Sequence, residues 1–189
     1  MPVAIKGTGG GSVTLTAGAA AADTTLTLPN TTGTVITTGS TAVVTQAMLA
    51  SNVAGNGPTF MYNQTSAQTL SSSTWTKLTF TSSIWDTTSG MYASSRFTPT
   101  VAGYYTIVGA MSAASTAGEN LVAIYKNGAA FIWASDVKTG GASLLSALTY
   151  CNGSTDYIEL YGYVQTGQAL SISTAPYQTF FQACMVRGA

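Results

Sequence analysis

Apolar and polar positions alternate most clearly between residues 104 and 109. The odd-numbered side chains are Tyr105, Ile107 and Gly109, and the even-numbered ones are Tyr104, Thr106 and Val108. Because successive side chains of a strand point to opposite faces, this period of two predicts a strand with apolar groups on both faces. Such a strand needs a second sheet on one face. The other face needs either further residues of this chain or a neighbouring subunit.

The entry to this strand carries two residues with special backbone properties. Pro99 has no N–H to donate, which places it at a strand edge or in the entry to a strand. Gly103 allows a tight bend at a point where a side chain would clash. The sequence therefore predicts a sharp approach to the strand.

Strand patterns recur from Thr59 onward at intervals of about 8–12 residues, which is typical of two packed antiparallel sheets. The predicted strands are 59–64, 75–81, 102–112, 119–126, 129–134, 143–151, 156–165 and 178–187. Asn127-Gly128 between two apolar runs predicts a tight hairpin, and Asn152-Gly153 predicts another turn. Trp85 lies in SSIWDTTSG, which we interpret as a loop.

The part of the chain before Thr59 has a different composition. Residues 1–40 contain two charges and short alternating segments, SVTLTAG, TTLTLPN and TVITTG, which predict an extended β-rich arm. Residues 41–58 predict a short helix over 41–50, followed by a linker. Residues 59–189 form the predicted globular head.

Composition points to an assembled protein. Apolar residues make up 46% of the chain, and charged residues only 6% with a net charge of zero, against about a quarter charged in soluble proteins. A surface with so few charges favours association. There is no basic surplus for nucleic acid and no apolar run of about eighteen residues for membrane insertion.

The sequence contains few candidate catalytic residues. The chain has no histidine and six carboxylates, which we interpret as turn, cap and solvated residues. We therefore predict a non-enzymatic protein without a cofactor or a metal ion. The cysteines, Cys151 and Cys184, are too few for a disulfide framework and are interpreted as strand or core residues. Among the aromatic residues, Trp85 is the candidate contact for a ligand such as a host surface glycan.

The motifs from Phe60 to Val186 resemble the tumour-necrosis-factor-like jelly roll, in particular its complement-type globular head. The matching pieces are WTKLTF, Tyr92, the series Phe97, Pro99, Gly103, Tyr105 and Ile107, YKNG, and TFFQACMV. This resemblance implies an all-β jelly-roll sandwich that assembles as a homotrimer, with one sheet of each subunit facing the three-fold axis. It places Tyr104, Thr106, Val108 and Phe180 at the trimer interface, and Tyr105, Ile107 and Phe181 in the sandwich interior.

The first forty residues are similar to N-terminal segments of bacteriophage fibre and other virion proteins, in which TLTLP followed by GT recurs. This similarity implies a virion protein, made in the host cytoplasm, whose arm docks on a tail, portal or capsid protein. Three hypotheses remain open. They are a tail-fibre or tail-tip protein for host attachment, a capsid decoration or head-fibre protein that stabilises the shell, and a carbohydrate-binding module centred on Trp85.

Overall fold

A computed structural model of the protein describes residues 3–6, 9, 12–15, 55–113, 118–134, 142–166, 170–171 and 178–189. The chain divides into two compact units, Met1–Thr41 and Ala42–Ala189. In the first unit, β1 (Val3–Lys6) pairs antiparallel with β2 (Ser12–Leu15). β2 falls within the predicted segment SVTLTAG, whereas β1 has no predicted counterpart. The predicted strands in TTLTLPN and TVITTG, and the predicted helix 41–50, lie outside the described residues.

The described residues of the second unit form strands and turns. The strands are β3 (Thr59–Asn63), β4 (Thr69–Leu70), β5 (Thr76–Lys77), β6 (Ser82–Asp86), β7 (Tyr92–Ala93), β8 (Arg96–Phe97), β9 (Gly103–Ser112), β10 (Asn120–Lys126), β11 (Ala129–Trp133), β12 (Ala142–Cys151), β13 (Ile158–Val164), β14 (Leu170–Ser171) and β15 (Phe180–Gly188). Each predicted strand from Thr59 onward has a counterpart, and the protein is all-β over the residues that are described.

Two large sheets form most of the described part of the second unit. A five-stranded sheet has the order β12-β9-β15-β3-β6, and a six-stranded sheet has the order β11-β10-β13-β8-β7 with β5 paired to β13. The pairings in both sheets are antiparallel. β4 and β14 form a separate short pair. The prediction of two antiparallel sheets is therefore confirmed.

Aromatic rings fill the space between the two sheets. The ring centroid of Phe60 lies 5.0 Å from that of Phe97 and 5.0 Å from that of Phe181, and Phe97 lies 5.3 Å from Tyr105. All four side chains are fully buried. Tyr105 donates its hydroxyl to the carbonyl of Val101 at 2.7 Å. Burial, with a smaller contribution from a nearby thiol, raises the pKa of Tyr105 to about 12, so the hydroxyl stays protonated as a donor within the core.

The approach to β9 explains the glycine of the central motif. A Cβ atom on Gly103 would lie 2.5 Å from the backbone oxygen of Arg187, on the neighbouring strand β15. Because that neighbour is backbone rather than a flexible side chain, any larger residue would separate β9 from β15. Pro99 is buried just before the bend, and Phe97 enters the core. The bend itself lies at Thr100 and Val101, and Gly103 is needed for the close approach to β15 rather than for the bend.

The predicted hairpin at Asn127-Gly128 is also present. It joins β10 to β11, with φ of 53° at Asn127 and 80° at Gly128. Two consecutive positive φ angles characterise the hairpin turn that matches the twist of the paired strands. The hairpin between β7 and β8 has the same pattern, with φ of 50° at Ser94 and 57° at Ser95.

The structure corrects the prediction between Trp75 and Tyr92. The predicted strand 75–81 pairs with β13 at β5, and the Leu78 N–H continues this contact by donating to the Leu160 carbonyl at 2.9 Å. On the opposite edge of this segment, backbone groups are bound by the Gln68 side chain instead of a neighbouring strand. Gln68 Nε2 donates to the Lys77 carbonyl at 2.7 Å, and its Oε1 accepts from the Thr79 N–H at 2.9 Å. The segment interpreted as a loop instead contains β6, which pairs with β3.

Candidate functional site

The five-stranded sheet carries large apolar side chains on the face turned away from the core, and we call this surface the apolar sheet face. Leu144 is 60% exposed, Leu148 59%, Tyr150 41% and Tyr104 40%. The rings of Tyr104 and Tyr150 lie 5.5 Å apart on adjacent strands. Exposed apolar patches of this kind on a soluble chain mark contact surfaces.

The four residues predicted for a trimer interface all lie on this face. Tyr104 is exposed, while Thr106, Val108 and Phe180 are half-buried within one chain. β9 and β15 are neighbours in the sheet, and Phe180 lies directly opposite Ala110. The structure thus brings the four side chains onto two adjacent strands. Their contact with another subunit stays a prediction at this point.

The inward side of the same strands follows the opposite pattern. Tyr105 and Ile107 on β9, and Phe181 on β15, are fully buried between the sheets. Gly109 packs directly against the side chain of Leu160 from the six-stranded sheet. β9 therefore has two apolar faces, of which the described residues of the chain cover one.

Sequence analysis missed the contribution of β12 to the apolar sheet face. Leu144, Leu148 and Tyr150 pair across the ladder with Ala110, Thr106 and Tyr104. The signal was available, because the segment SLLSALTYC places an apolar or aromatic residue at most of the outward positions as well as the inward ones. β12 is the edge strand of its sheet, so this row also forms the border of the face.

Trp85 lies on the same sheet, in strand β6 and not in a loop. It is directly opposite Met61 of β3, its side chain is 43% exposed, and its Nε1 donates to Thr59 Oγ1 at 3.4 Å. The indole borders a shallow depression of about 130 Å³. The depression is lined by Thr59, Phe60, Trp85, Thr106, Val108, Gln182, Ala183 and Cys184. Trp85 is thus continuous with the predicted interface residues, and its role as a ligand contact stays a prediction.

The two cysteines are free thiols on different strands. Cys184 on β15 is exposed and borders the depression, whereas Cys151 at the end of β12 is fully buried. Burial raises the pKa of Cys151 to about 11, despite the opposing effect of Lys126. Cys151 therefore stays a neutral thiol near neutral pH and packs as a small apolar residue.

The strongest charge interactions lie on the six-stranded sheet. Glu159 is buried, and its Oε1 accepts from Lys77 Nζ at 2.7 Å and from Arg96 Nε at 2.8 Å. Burial alone would raise the pKa of Glu159, yet these hydrogen bonds lower it below its usual value. Asp156 accepts from Asn127 Nδ2 at 2.7 Å, and this bond is the largest cause of its lowered pKa. Both carboxylates hold elements of the fold together.

Two of the sequence predictions concern metal binding and membrane insertion. Among the residues that the structure describes, no group of three or more His, Cys, Asp and Glu side chains could hold a metal ion. Within that same part of the chain, no helix is long and apolar enough to cross a bilayer.

Solved structures share the fold of the second unit. The globular domain of zebrafish complement 1qA is 12% identical with a TM-score of 0.51, covering 70% of this chain and 100% of its own. Murine APRIL is 10% identical with a TM-score of 0.53, and the match covers 68% of this chain and 98% of the APRIL chain. The Eiger TNF of S. frugiperda is 10% identical with a TM-score of 0.52, and the match covers 70% of this chain and 92% of the Eiger chain.

No protein-family model and no curated protein sequence matches the chain. At identities of 10–12% the structural likeness shows the fold alone. The second unit therefore has a jelly-roll sandwich fold like that of tumour necrosis factor and complement globular domains, which confirms the predicted all-β sandwich, while the homotrimer and the arm stay predictions.

Proposed function

We propose that the protein is a non-enzymatic structural protein of a bacteriophage virion. It forms a homotrimeric fibre or tail-tip component that docks through residues 1–40 and displays the jelly-roll head, residues 59–189, for host attachment. The observation that carries the proposal is the apolar sheet face, with Leu144 and Leu148 about 60% exposed in a single chain. Burial of such side chains contributes roughly 1.5–3 kcal/mol each.

The position of the face supports closure into a ring of subunits. It covers β12 at the edge of the sheet and continues over β9 and β15 toward β3. Because a cyclic trimer joins two different patches of the same chain, a surface that runs from an edge across a sheet can supply both partners. The resemblance to trimeric jelly rolls supports the same arrangement.

The virion assignment is supported by the arm and the composition. The TLTLP and GT segments within residues 1–40 are similar to those of phage fibre proteins, and the net charge of the whole chain is zero with 6% charged residues. Glu159 and Asp156 are engaged in ion pairs and turns, which supports a role without catalysis.

The trimer is tested by placing a charge on the proposed interface. Tyr104→Asp and Phe180→Asp would each bury a carboxylate against an apolar surface, so we expect light scattering to show dissociated subunits with a native circular dichroism spectrum. Thr100→Asp adds the same charge at an exposed position outside the sheets and should leave the trimer intact. If both interface variants remained trimeric, the interface would be wrong.

The virion location is tested by immunogold labelling of purified phage particles with antibodies against the head. Label at the tail tip supports the attachment role, and label on the capsid supports the alternative of a decoration or head-fibre protein. Particles that carry the protein at neither place, with the protein found only in the unassembled fraction, would contradict a virion function.

A further inference from the structure

The far side of the six-stranded sheet carries a second aromatic surface, which we call the aromatic face. It consists of Trp75, which precedes β5, Tyr125 on β10, and Tyr161 and Tyr163 on β13. The ring of Trp75 lies 5.3 Å from Tyr163 and 6.3 Å from Tyr125, and Tyr125 stacks on Tyr161 at 3.9 Å. All four side chains are half-buried.

The small residue Ala123 allows these rings to come together. It lies directly opposite Tyr161 in the β10–β13 ladder and is fully buried, although it points away from the core. Its other neighbour across the ladder is Trp133, whose side chain is 60% exposed. The rings therefore cover the sheet beneath them and present their remaining surface outward, on the sheet opposite to the proposed trimer interface.

Charged groups border the aromatic face on one side. Lys77 and Arg96 share the single carboxylate of Glu159, so the three side chains leave a local charge of +1 in a chain whose net charge is zero. The guanidinium carbon of Arg96 lies 4.1 Å from the ring centre of Tyr157. Arg96 reaches Glu159 through Nε, and its side chain is 45% exposed. Its planar fork is suited to a carboxylate or phosphate oxygen pair.

Aromatic rings beside polar groups recognise a particular chemistry. The apolar faces of a sugar ring pack on indole and phenol rings, while its hydroxyl groups need nearby hydrogen-bonding partners. The local positive charge favours a sugar that is negatively charged over a neutral one. We propose that the aromatic face binds an acidic oligosaccharide, with one sugar ring stacked on Trp75 and Tyr163 and the carboxylate or phosphate of a neighbouring sugar held by Arg96 and Lys77, because Tyr163 and Glu159 lie four residues, roughly 13 Å, apart along β13. This site differs from Trp85, and it does not depend on the trimer because all its residues belong to one chain.

The test uses the full chain on an array of glycans that carry sialic acid, uronic acid or phosphate, beside their neutral counterparts. We expect retention of acidic glycans at least about tenfold above the matched neutral ones, since hydrogen bonds to charged groups have this magnitude. Retention should fall as salt is added. Carboxylated and phosphorylated glycans form separate arms, so the array identifies which acid is bound. Equal retention of neutral glycans, or no retention of any acidic glycan, would overturn the proposal.

Four variants locate the site. Arg96→Gln should weaken binding roughly tenfold or more, and Trp75→Ala should weaken it about three- to tenfold, as expected for the loss of an aromatic contact. Ile84→Ala, at an exposed position on the other sheet, is the control that should leave binding unchanged, and Trp85→Ala separates this site from the alternative contact at Trp85. Because nearly half of the Arg96 side chain is exposed and Lys77 still pairs with Glu159, the Arg96 variant is expected to keep the native circular dichroism spectrum even if Trp75→Ala does not. Acidic-glycan binding that Arg96→Gln leaves intact, or that Trp85→Ala abolishes, would place the site elsewhere.

Discussion

At the residue scale, two hairpin turns with the same backbone geometry are built from different sequences. Asn127-Gly128 uses residues that accept positive φ, and Asn127 also accepts a hydrogen bond from the Tyr157 N–H at 2.9 Å. Ser94-Ser95 adopts similar angles without such residues. Ser95 Oγ accepts from the buried Phe80 N–H at 2.8 Å, so the serine at the second position has a structural role that asparagine or glycine would not reproduce in the same way. Ser94 is exposed.

Ser94→Asn should therefore stabilise the protein. Asparagine tolerates the left-handed region better than serine, and we expect a gain of about 0.5–1 kcal/mol in the free energy of unfolding. The reverse change at the other hairpin, Asn127→Ser, should be destabilising because it also removes the bond to Asp156. Urea denaturation of both variants at one protein concentration measures the difference. A loss of stability in Ser94→Asn would contradict the assigned turn geometry.

Glu159 gives the protein a defined response to acid. Its pKa is lower in the folded protein than in the unfolded chain, where it is about 4.3, because the bonds from Lys77 and Arg96 outweigh the effect of burial. Its contribution is therefore present above the unfolded pKa and is lost as the pH falls through the folded value. Glu159→Gln should cost about 1–3 kcal/mol at neutral pH and flatten the decline of stability below about pH 4.3.

Denaturant titrations between neutral pH and the acid range measure this effect. Glu119→Gln is the control, since the hydrogen bonds recorded for Glu119 in the described structure come from its backbone. Asp156 also has a lowered pKa, so part of the acid sensitivity should persist in both variants. An unchanged acid profile in Glu159→Gln would show that the paired carboxylate contributes nothing to stability.

At the element scale, the two faces of β10 differ, because one packs in the core and the other lies on the outer surface of the six-stranded sheet. Ile124 points inward and is fully buried, whereas Leu121 points outward and is half-buried. Ile124→Ala should destabilise the protein by about 2–5 kcal/mol, since it leaves a cavity between the sheets. Leu121→Ala should cost clearly less. Both can be measured from unfolding midpoints at equal protein concentration, and equal losses would contradict the assignment of faces.

Strands and turns with strong local sequence patterns could be predicted, whereas a strand that forms only by pairing with a distant segment of the chain could not. β9 and the Asn127-Gly128 hairpin are specified by residues next to each other in the sequence. β6 is different, because its residues are mostly exposed and it becomes a strand only by pairing Trp85 with Met61. This is why the sequence indicated a loop there.

The candidate sites also differ in how much of each could be predicted from local sequence patterns. Alternation within β9 identified Tyr104 and Val108, but the matching row on β12 required the register that places Tyr150 beside Tyr104. The sequence does not show that the aromatic face comes together, because Trp75, just before β5, and Tyr125 on β10 lie far apart in the chain and meet only when both strands pair with β13.

At the scale of the whole molecule, one sheet presents an apolar face and the other an aromatic, charged one. Assembly through the first would leave the second outside, where it can meet a ligand. In the proposed assembly, a chain with 6% charged residues would bury its apolar sheet face and keep the aromatic face exposed.

The most direct test of this account is the mass of the untreated protein in solution. Sedimentation velocity over a dilution series should show a single species at three times the 19.3 kDa chain mass, retained at the lowest concentration that can be measured. A folded, stable species of 19.3 kDa at those concentrations would contradict the account, because it would mean that one chain tolerates its exposed apolar sheet face in water.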